Sequence, residues 1–299
     1  MSASEQFEFV PVEQCYVCGS GRRSPAIERW FFGHRFSWVR CTECRLVYQE
    51  SKLSRDSLER IYNSAFYWQA GEGSQLGGRI GYADYLGDDG ARIHQARDRV
   101  RLVSRFLPSG SKILDVACAT GFFVKVARDA GMEARGVDLS AEMARAGQER
   151  YGVEIQVADF DLLAAPADSF DGITMWGSDS NFYDPAATFR KVYALLQKGG
   201  FVFFSFWDFD HPARPLLGEF KLAYNALYLW NRNNLRRLLE TTGLAPRSMA
   251  MEWQHVTLGY VCAMTGRPGF RRLLARLGLV ETIVHLPTLS GYVVAAQKV

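Results

Sequence analysis

Two cysteine pairs, Cys15-x2-Cys18 and Cys41-x2-Cys44, stand 22 residues apart near the start of this 299-residue chain. Four thiolates presented from two tight turns make the tetrahedral sulfur cage of a structural zinc site, with no coordination position left over for catalysis. Gly19 follows the first pair, where such a turn favours positive φ. Arg45 holds the equivalent place after the second pair and has to tolerate strain or take a different turn. His34, between the pairs, is a spare ligand. Cys118 and Cys262 stand alone and read as packing residues, Cys118 beneath the loop described next and Cys262 in the core.

The second constellation is three carboxylates. Asp115, Asp138 and Asp159 each close or nearly close a short apolar run: KILDVA (112–117), ARGVDL (134–139) and EIQVAD (154–159). Helical patterns at FFVKVARDAG (122–131) and Ala141–Tyr151 separate the runs. Two further strands, GITMWG (172–177) and FVFFSFW (201–207), flank a helix at Ala186–Leu196. Strands alternating with helices imply parallel βαβ units and a doubly wound sheet. Ligands of such sheets bind outside the carboxyl ends of the strands, so the three acids share one rim. Asp138 lies 23 residues beyond Asp115, close to the roughly 20 of a ribose-binding acid. A carboxylate suits a vicinal diol because it accepts two hydrogen bonds.

The segment Asp115 to Gly121 links the first of these strands to its helix. The dinucleotide fingerprint G-x-G-x-x-G would place Ala117, Ala119 and Phe122 at the glycine positions, and a phenylalanine in the third argues strongly against a bound pyrophosphate. The spacing fits D-x-G-x-G-x-G, with alanine at the first two small positions. Alanine avoids positive φ, so both alanines are expected at negative φ in a slightly widened loop.

Here the chain resembles the class I S-adenosylmethionine-dependent methyltransferases, over roughly residues 107–299. The resemblance implies an α/β fold with a Rossmann-like seven-stranded methyltransferase sheet. It implies that Asp115, Ala117, Ala119 and Gly121 hold the methionine end of S-adenosylmethionine. Asp138, with Leu139, would take the ribose hydroxyls, and Asp159 and Phe160 would meet the adenine. Aromatic walls favour transfer from a sulfonium, because they exclude water and attract the cation to ring faces. Trp176, Phe182, Tyr183 and Trp207 stand at or just past strand ends and are candidates.

The opening region also resembles a subgroup with an N-terminal zinc ribbon, including deoxysugar C-methyltransferases. The matching residues are Arg40-Cys-Thr-Glu-Cys-Arg-Leu-Val-Tyr48 and Tyr62-Asn-Ser-Ala-Phe-Tyr67. The sugar enzymes of that type carry a large extra C-terminal domain that this chain is too short to hold, so their substrate and catalytic residues are not carried over. The expected organisation is a zinc-ribbon module at 1–53, a helical and glycine-rich lid at 54–107, and the cofactor-binding domain at 108–299. Within the first two parts, Glu28–Phe32 and Phe36–Arg40 pair around Gly33-His34. A helix starts at an N-cap, Ser54, and runs towards Tyr67. Tyr82 and Tyr85 follow the glycine-rich stretch 71–81, and a second helix spans Ala91–Leu107. Beyond Asn234 come a helix, strands at Ser248–Trp253 and Ser290–Gln297, and a helix at Phe270–Leu277 between them. That last helix pairs an arginine face (Arg271, Arg272, Arg276) with an apolar face of Phe270, Leu273, Leu274 and Leu277.

A general base is needed if the acceptor is a hydroxyl or a carbon acid. His211, beside Asp208 after the fifth strand, is the first candidate. Asp179, Asn181 and Tyr183 are expected to orient the acceptor. The favoured acceptor is a small molecule, a sugar or natural-product intermediate methylated at oxygen or carbon. An RNA base gripped by the ribbon is the alternative. Residues 1–50 hold six Arg against six Glu, whereas an RNA grip should be basic. Residues 229–299 carry nine Arg plus Lys against three Glu, which suits an anionic acceptor or a solvated face. The formal net charge of the whole chain is only +3, so no global field recruits nucleic acid or an anionic membrane. The longest apolar run is too short to span a bilayer, and the opening residues lack a basic segment followed by an apolar one. A cytoplasmic address with reduced cysteines is therefore expected.

Overall fold

The computed structural model describes residues 7–68, 85, 89–213, 224–265 and 268–299. The chain opens with β1 (Phe9–Pro11), β2 (Arg23–Phe31), β3 (His34–Cys41), β4 (Val47–Gln49) and β5 (Ser51–Leu53). Three helices follow: α1 (Arg55–Tyr62), α2 (Ala65–Trp68) and α3 (Asp89–Val103). The alternating part is β6 (Lys112–Val116), α4 (Phe122–Asp129), β7 (Glu133–Asp138), α5 (Ala141–Tyr151), β8 (Ile155–Val157), β9 (Phe170–Met175), α6 (Pro185–Leu195) and β10 (Leu196–Trp207). The remainder is β11 (Tyr228–Leu229), α7 (Arg232–Thr241), β12 (Leu244–Thr257), α8 (Leu258–Thr265), α9 (Pro268–Arg276) and β13 (Ile283–Lys298).

Seven strands form one sheet in the order β12-β13-β10-β9-β6-β7-β8. The pairings among β6 to β10 are parallel, while β13 runs antiparallel to β10 and β12. The chain leaves β6 towards β7 and β8, then returns to lay β9 on the other side of β6. That reversal puts the switch point, and the ligand crevice, at the tips of β6 and β9. Residues Phe201 to Phe206 of β10 are all buried, as a parallel strand covered on both faces requires. Helix starts are fixed locally: the Ser140 hydroxyl accepts from Met143 N, and Asp184 accepts from Ala187 N ahead of Pro185. Both are standard N-caps.

The N-terminal strands build a second sheet, ordered β11-β4-β3-β2. Its outermost strand, β11, comes from the far side of β10, so the sheet is completed by the segment after residue 223. Gln49 N donates to Leu227 O at 2.8 Å, and the Trp38 indole donates to Ala226 O at 2.8 Å. A single buried cluster runs from Cys15, Phe36, Trp38 and Tyr48 to Ile173, Phe204 and Trp230.

Helix α1 begins at Ser54 as read from the sequence, but stops at Asn63 before the short α2. The glycine-rich stretch 71–81 and Tyr82 lie outside the described residues. Helix α9 forms where expected, yet its leucine stripe is not a core face. Leu274 is buried, whereas Leu273 and Leu277 are 49% and 61% exposed, because only one side of the short helix meets α8. No helix among the described residues is long and apolar enough to cross a membrane.

Trp38 is 1% exposed and bonded across the joint between the two sheets. Trp38→Ala is expected to cost about 3–5 kcal/mol in denaturant unfolding, as large-to-small core changes do. A loss under about 1 kcal/mol would show that the joint tolerates a cavity.

Candidate functional site

The crevice starts at Asp115, in the penultimate position of β6 and directly opposite Thr174 of β9. Its carboxyl is buried and accepts a 2.6 Å hydrogen bond from the Thr174 hydroxyl. Burial pushes it up to about 7, against the pull of that hydroxyl.

The loop that follows corrects one expectation. Ala117, Ala119 and Gly121 all adopt positive φ, at 55°, 49° and 73°. The alanines are held there by the directions their neighbours' amides must take. Ala119 N donates to Asp138 Oδ2 at 2.7 Å, Cys118 N to Val137 O at 3.2 Å, and Gly121 N to Cys118 O at 2.8 Å. Left-handed alanine costs roughly 1–2 kcal/mol per residue, a cost those bonds offset. Gly121 admits no substitute, since an added Cβ would meet Val153 at 2.9 Å. The Cys118 sulfur lies 2.5 Å from where a Cβ on Gly136 would be, so the thiol packs against β7 beneath the loop, as expected. Cys262 is buried, also as expected.

Asp138 ends β7 and is buried. Its Oδ1 accepts from Ser140 N at 2.8 Å while Oδ2 accepts from Ala119 N. Burial raises its pKa, and the backbone amides of Ser140, Ala119 and Leu139 draw it back. Leu139 beside it is half-buried. Three polar side-chain atoms near these tips are buried without a hydrogen-bond partner among the described residues: Thr120 Oγ1, Trp176 Nε1 and Ser178 Oγ. Buried polar groups normally find partners, at about 1–3 kcal/mol each when they do not. The Trp176 ring packs on Phe123 at 5.6 Å and lies under the Arg99 guanidinium at 4.8 Å. Arg99 itself pairs at 2.9 Å with buried Glu252 of β12.

The third acid is differently engaged. Asp159 Oδ1 accepts from Asp161 N, and Oδ2 pairs with Arg55 at the start of α1. Phe160 is buried beside Phe182, with ring centres 6.3 Å apart. Tyr183 belongs to this corner too: Lys52 and Arg55 lie 3.5 and 4.3 Å from its ring centre. Burial pushes Lys52 down to about 8, and it donates to Tyr183 O at 2.6 Å.

The residues expected to serve an acceptor do not converge. Asp179 is buried, pushed up to about 8 by desolvation, and its carbonyl accepts from Trp230 Nε1. Asn181 is half-buried in the same turn. His211 lies elsewhere, half-buried, its Nδ1 accepting from Ala213 N and its ring 6.2 Å from Tyr292. Nearby, Asp208, Arg232, Arg45 and Arg236 line a cavity of about 720 Å³. Arg99, Glu252, Lys52 and Arg55 went unread in the sequence, where charged residues in helical or strand patterns carry no mark of a site.

The four cysteines do converge: their sulfurs lie within 4.8 Å of one another. Cys15 Sγ is 3.4 Å from Cys44 Sγ, and Cys18 Sγ is 3.5 Å from Cys41 Sγ. A zinc tetrahedron with bonds of about 2.3 Å needs sulfurs about 3.8 Å apart, so a small expansion admits the ion. Both knuckles close alike, with Gly19 N donating to Cys15 O and Arg45 N to Cys41 O. Arg45 does take positive φ, 64°, as Gly19 does at 70°. His34 packs on Phe7 and Phe9 instead of joining the cage.

Residues 89–249 match the Methyltransferase domain family. Among curated proteins the chain is 32% identical over 114 residues to a ubiquinone biosynthesis O-methyltransferase of Xanthomonas axonopodis, covering 36% of this chain and 48% of that protein. It is 33% identical over 104 residues to the protein of the same name from Ralstonia nicotianae, covering 32% and 43%. The chain thus spans less than half the length of these curated relatives. A chain from the complex of the Haloferax volcanii Trm112 methyltransferase activator with a methyltransferase superposes with a TM-score of 0.52 at 16% identity, covering 71% of this chain and 93% of that one. That likeness shows the fold alone.

An acid whose pKa rises on folding is held most stably when neutral. The penalty for Asp115 is absent below its ordinary value of 3.8, grows as pH rises, and is complete above about 7. Asp115→Asn removes it and keeps an oxygen for Thr174. The variant is expected to gain roughly 1–4 kcal/mol on the wild type between about pH 4 and pH 8 in chemical denaturation. A difference that stays constant with pH would show that folding leaves the Asp115 pKa unshifted.

Proposed function

The chain belongs to the Methyltransferase domain family, and from that premise we propose that it transfers a methyl group from S-adenosylmethionine to a hydroxyl of a small molecule. The observation that carries this reading is the β6–β7 rim: a loop curled by Asp138, a buried Asp115, and orphaned polar atoms at Thr120, Trp176 and Ser178. Those atoms fit a polar ligand seated on the two tips.

In this reading the loop Ala117 to Gly121, with Asp115 below it, receives the methionine end of the cofactor. Asp138 and Leu139 face the ribose, a carboxylate having lone pairs beyond the two its amide bonds use. Asp159 and Phe160 bound the adenine, with Arg55 fixing the Asp159 carboxylate. Trp176 closes the side nearest Arg99. When bound there, S-adenosylmethionine supplies a methyl group on a sulfonium, a centre open to in-line displacement. His211 is the proposed base: it is half-buried, and its backbone N donates to the carbonyl of Asp208, which lines the 720 Å³ cavity. Asp179, Asn181 and Tyr183 keep an orienting role in this reading through the turn they share.

The four cysteines would hold a structural zinc. It would lock both knuckles and present Arg45 at the cavity wall. The small-molecule reading is favoured over RNA because the ribbon's arginines are spent internally. Arg22, Arg23 and Arg35 pair with Glu43, Glu50 and Glu28, while Arg40 and Arg45 pair with Asp210. The names of the curated relatives point to oxygen as the accepting atom. The cavity's charges partly cancel, Arg232 pairing with Asp208 at 2.9 Å, so an acceptor of low charge suits it better than a polyanion.

Calorimetry of the purified, zinc-loaded protein is expected to show binding of S-adenosylmethionine and of its demethylated product. Asp138→Ala should weaken both by roughly tenfold or more, the worth of one lost charged hydrogen bond. No binding by the wild type would end the proposal. His211→Ala is expected to lower turnover of a hydroxyl acceptor at least ~100-fold with cofactor affinity unchanged, and a loss of about tenfold or less removes His211 from the base role.

A further inference from the structure

Three of the chain's five histidines gather at one place, apart from the cysteine cage. His255 on β12 and His285 on β13 are direct register partners. Their side chains therefore leave the same face of the hairpin, and the rings stack 4.2 Å apart and nearly parallel. Helix α3 covers that face. Its Asp98 Oδ2 lies 2.7 Å from His255 Nε2 and 3.5 Å from His285 Nε2. His94, one turn earlier on α3, brings a third ring to 5.4 Å from that of His255. The ligand atoms of Asp98, His255 and His285 all lie within 4.8 Å of one another.

A plain ion pair does not account for this arrangement. Asp98 already takes Arg101 on its other oxygen, at 2.5 Å. The remaining oxygen can neutralise one imidazolium, yet two imidazole Nε2 atoms face it. Protonating both stacked rings would set like charges about 4 Å apart, whereas a divalent cation would bind both rings in their neutral form.

We propose that Asp98, His255 and His285 form a second metal site, taking a divalent first-row ion of the zinc class. Two imidazoles and one carboxylate are donors that such ions accept. Three protein ligands leave a position for water or for His94. Lone pairs on imidazole lie in the ring plane, so capture of the ion requires the parallel rings to tilt towards each other. His285, with its side chain 44% exposed, has room to do so.

The position gives the ion a mechanical consequence. Asp98 faces the hairpin, while its neighbour Arg99 turns inward to Glu252 and Trp176. Gln95 already stitches α3 to β12 through Trp253 O and His255 N, at 3.0 Å each. An ion on Asp98, His255 and His285 clamps α3 to the β12–β13 hairpin and fixes the helix that carries Arg99. The site needs no cofactor to fill, so it stands or falls apart from the methyl-transfer reading.

Cobalt(II) titration of the full-length, tag-free protein tests it. Bound thiolate gives cobalt an intense sulfur charge-transfer band, and a nitrogen–oxygen site gives only weaker ligand-field absorption. The expected result is a cobalt equivalent without sulfur charge transfer, distinct from any that the cysteines take, whose binding raises the melting temperature. Asp98→Asn and His285→Ala should each weaken that equivalent by at least about tenfold, since even the loss of an outer partner costs that much, and leave the sulfur-bound spectrum unchanged. Absence of a nitrogen–oxygen-bound equivalent, or affinity unaltered in either folded variant, overturns the proposal.

Discussion

The Asp138 carboxylate is the interaction on which the rim depends. One oxygen fixes Ala119 N and the other fixes Ser140 N, so a single side chain ties the loop after β6 to the start of α5. The first bond is one of three that hold two alanines at positive φ. Without the bond to Ser140 N, the N-cap turn at Ser140 would lose its anchor. The carboxylate sits in a buried setting that raises its pKa, and charge-assisted bonds of this kind gain strength where water is excluded. The loop is thus curled by bonds from the protein's own side chain and amides, and such bonds lower the ordering entropy that binding has to bear.

Around that anchor the N-terminal strands act as a wall of the main domain. Strand β11 completes their sheet from the other end of the chain, and the core runs through the joint without a break. Lys52 and Arg55 reach across it to Tyr183 and Asp159. Each cation is only partly exposed and meets both a ring face and an oxygen. This corner therefore couples the position of α1 to the third acid of the rim. A cysteine cage that stiffens the first fifty residues would stiffen the rim as well.

Much of this was legible in the sequence, and the reasons are local. Strands β6 to β10 are short apolar runs with an acid, a glycine or a cap at each end, so their type and order followed from pattern. The cysteine cage followed from spacing alone, and Gly19 announced the turn it adopts, while for Arg45 strain and a different turn both stayed open until its positive φ was seen. What failed to show was decided by tertiary contact. The negative φ expected for Ala117 and Ala119 rested on their intrinsic preference, which the loop's hydrogen bonds to Asp138, Val137 and Cys118 override. The leucine stripe of α9 has a perfect helical period, yet Leu273 and Leu277 are exposed and meet no partner surface among the described residues. Strand β11 is two residues long and exists only because β4 offers an edge. Arg99 and Glu252 look like surface charges until α3 and β12 meet.

The buried charges around the crevice share one electrostatic logic. Asp115 and Asp179 are both raised by desolvation, to about 7 and about 8. Glu252 adds a further buried acid, matched by Arg99. Acids outnumber bases there, and each ionised carboxylate lacks the water that would otherwise stabilise it. A ligand with a fixed positive charge relieves that deficit by favouring the ionised forms, whereas a neutral ligand of the same shape does not. The demethylated product of a sulfonium is such a neutral ligand. Under the proposed function, these buried acids would favour the sulfonium over the thioether that methyl transfer leaves behind.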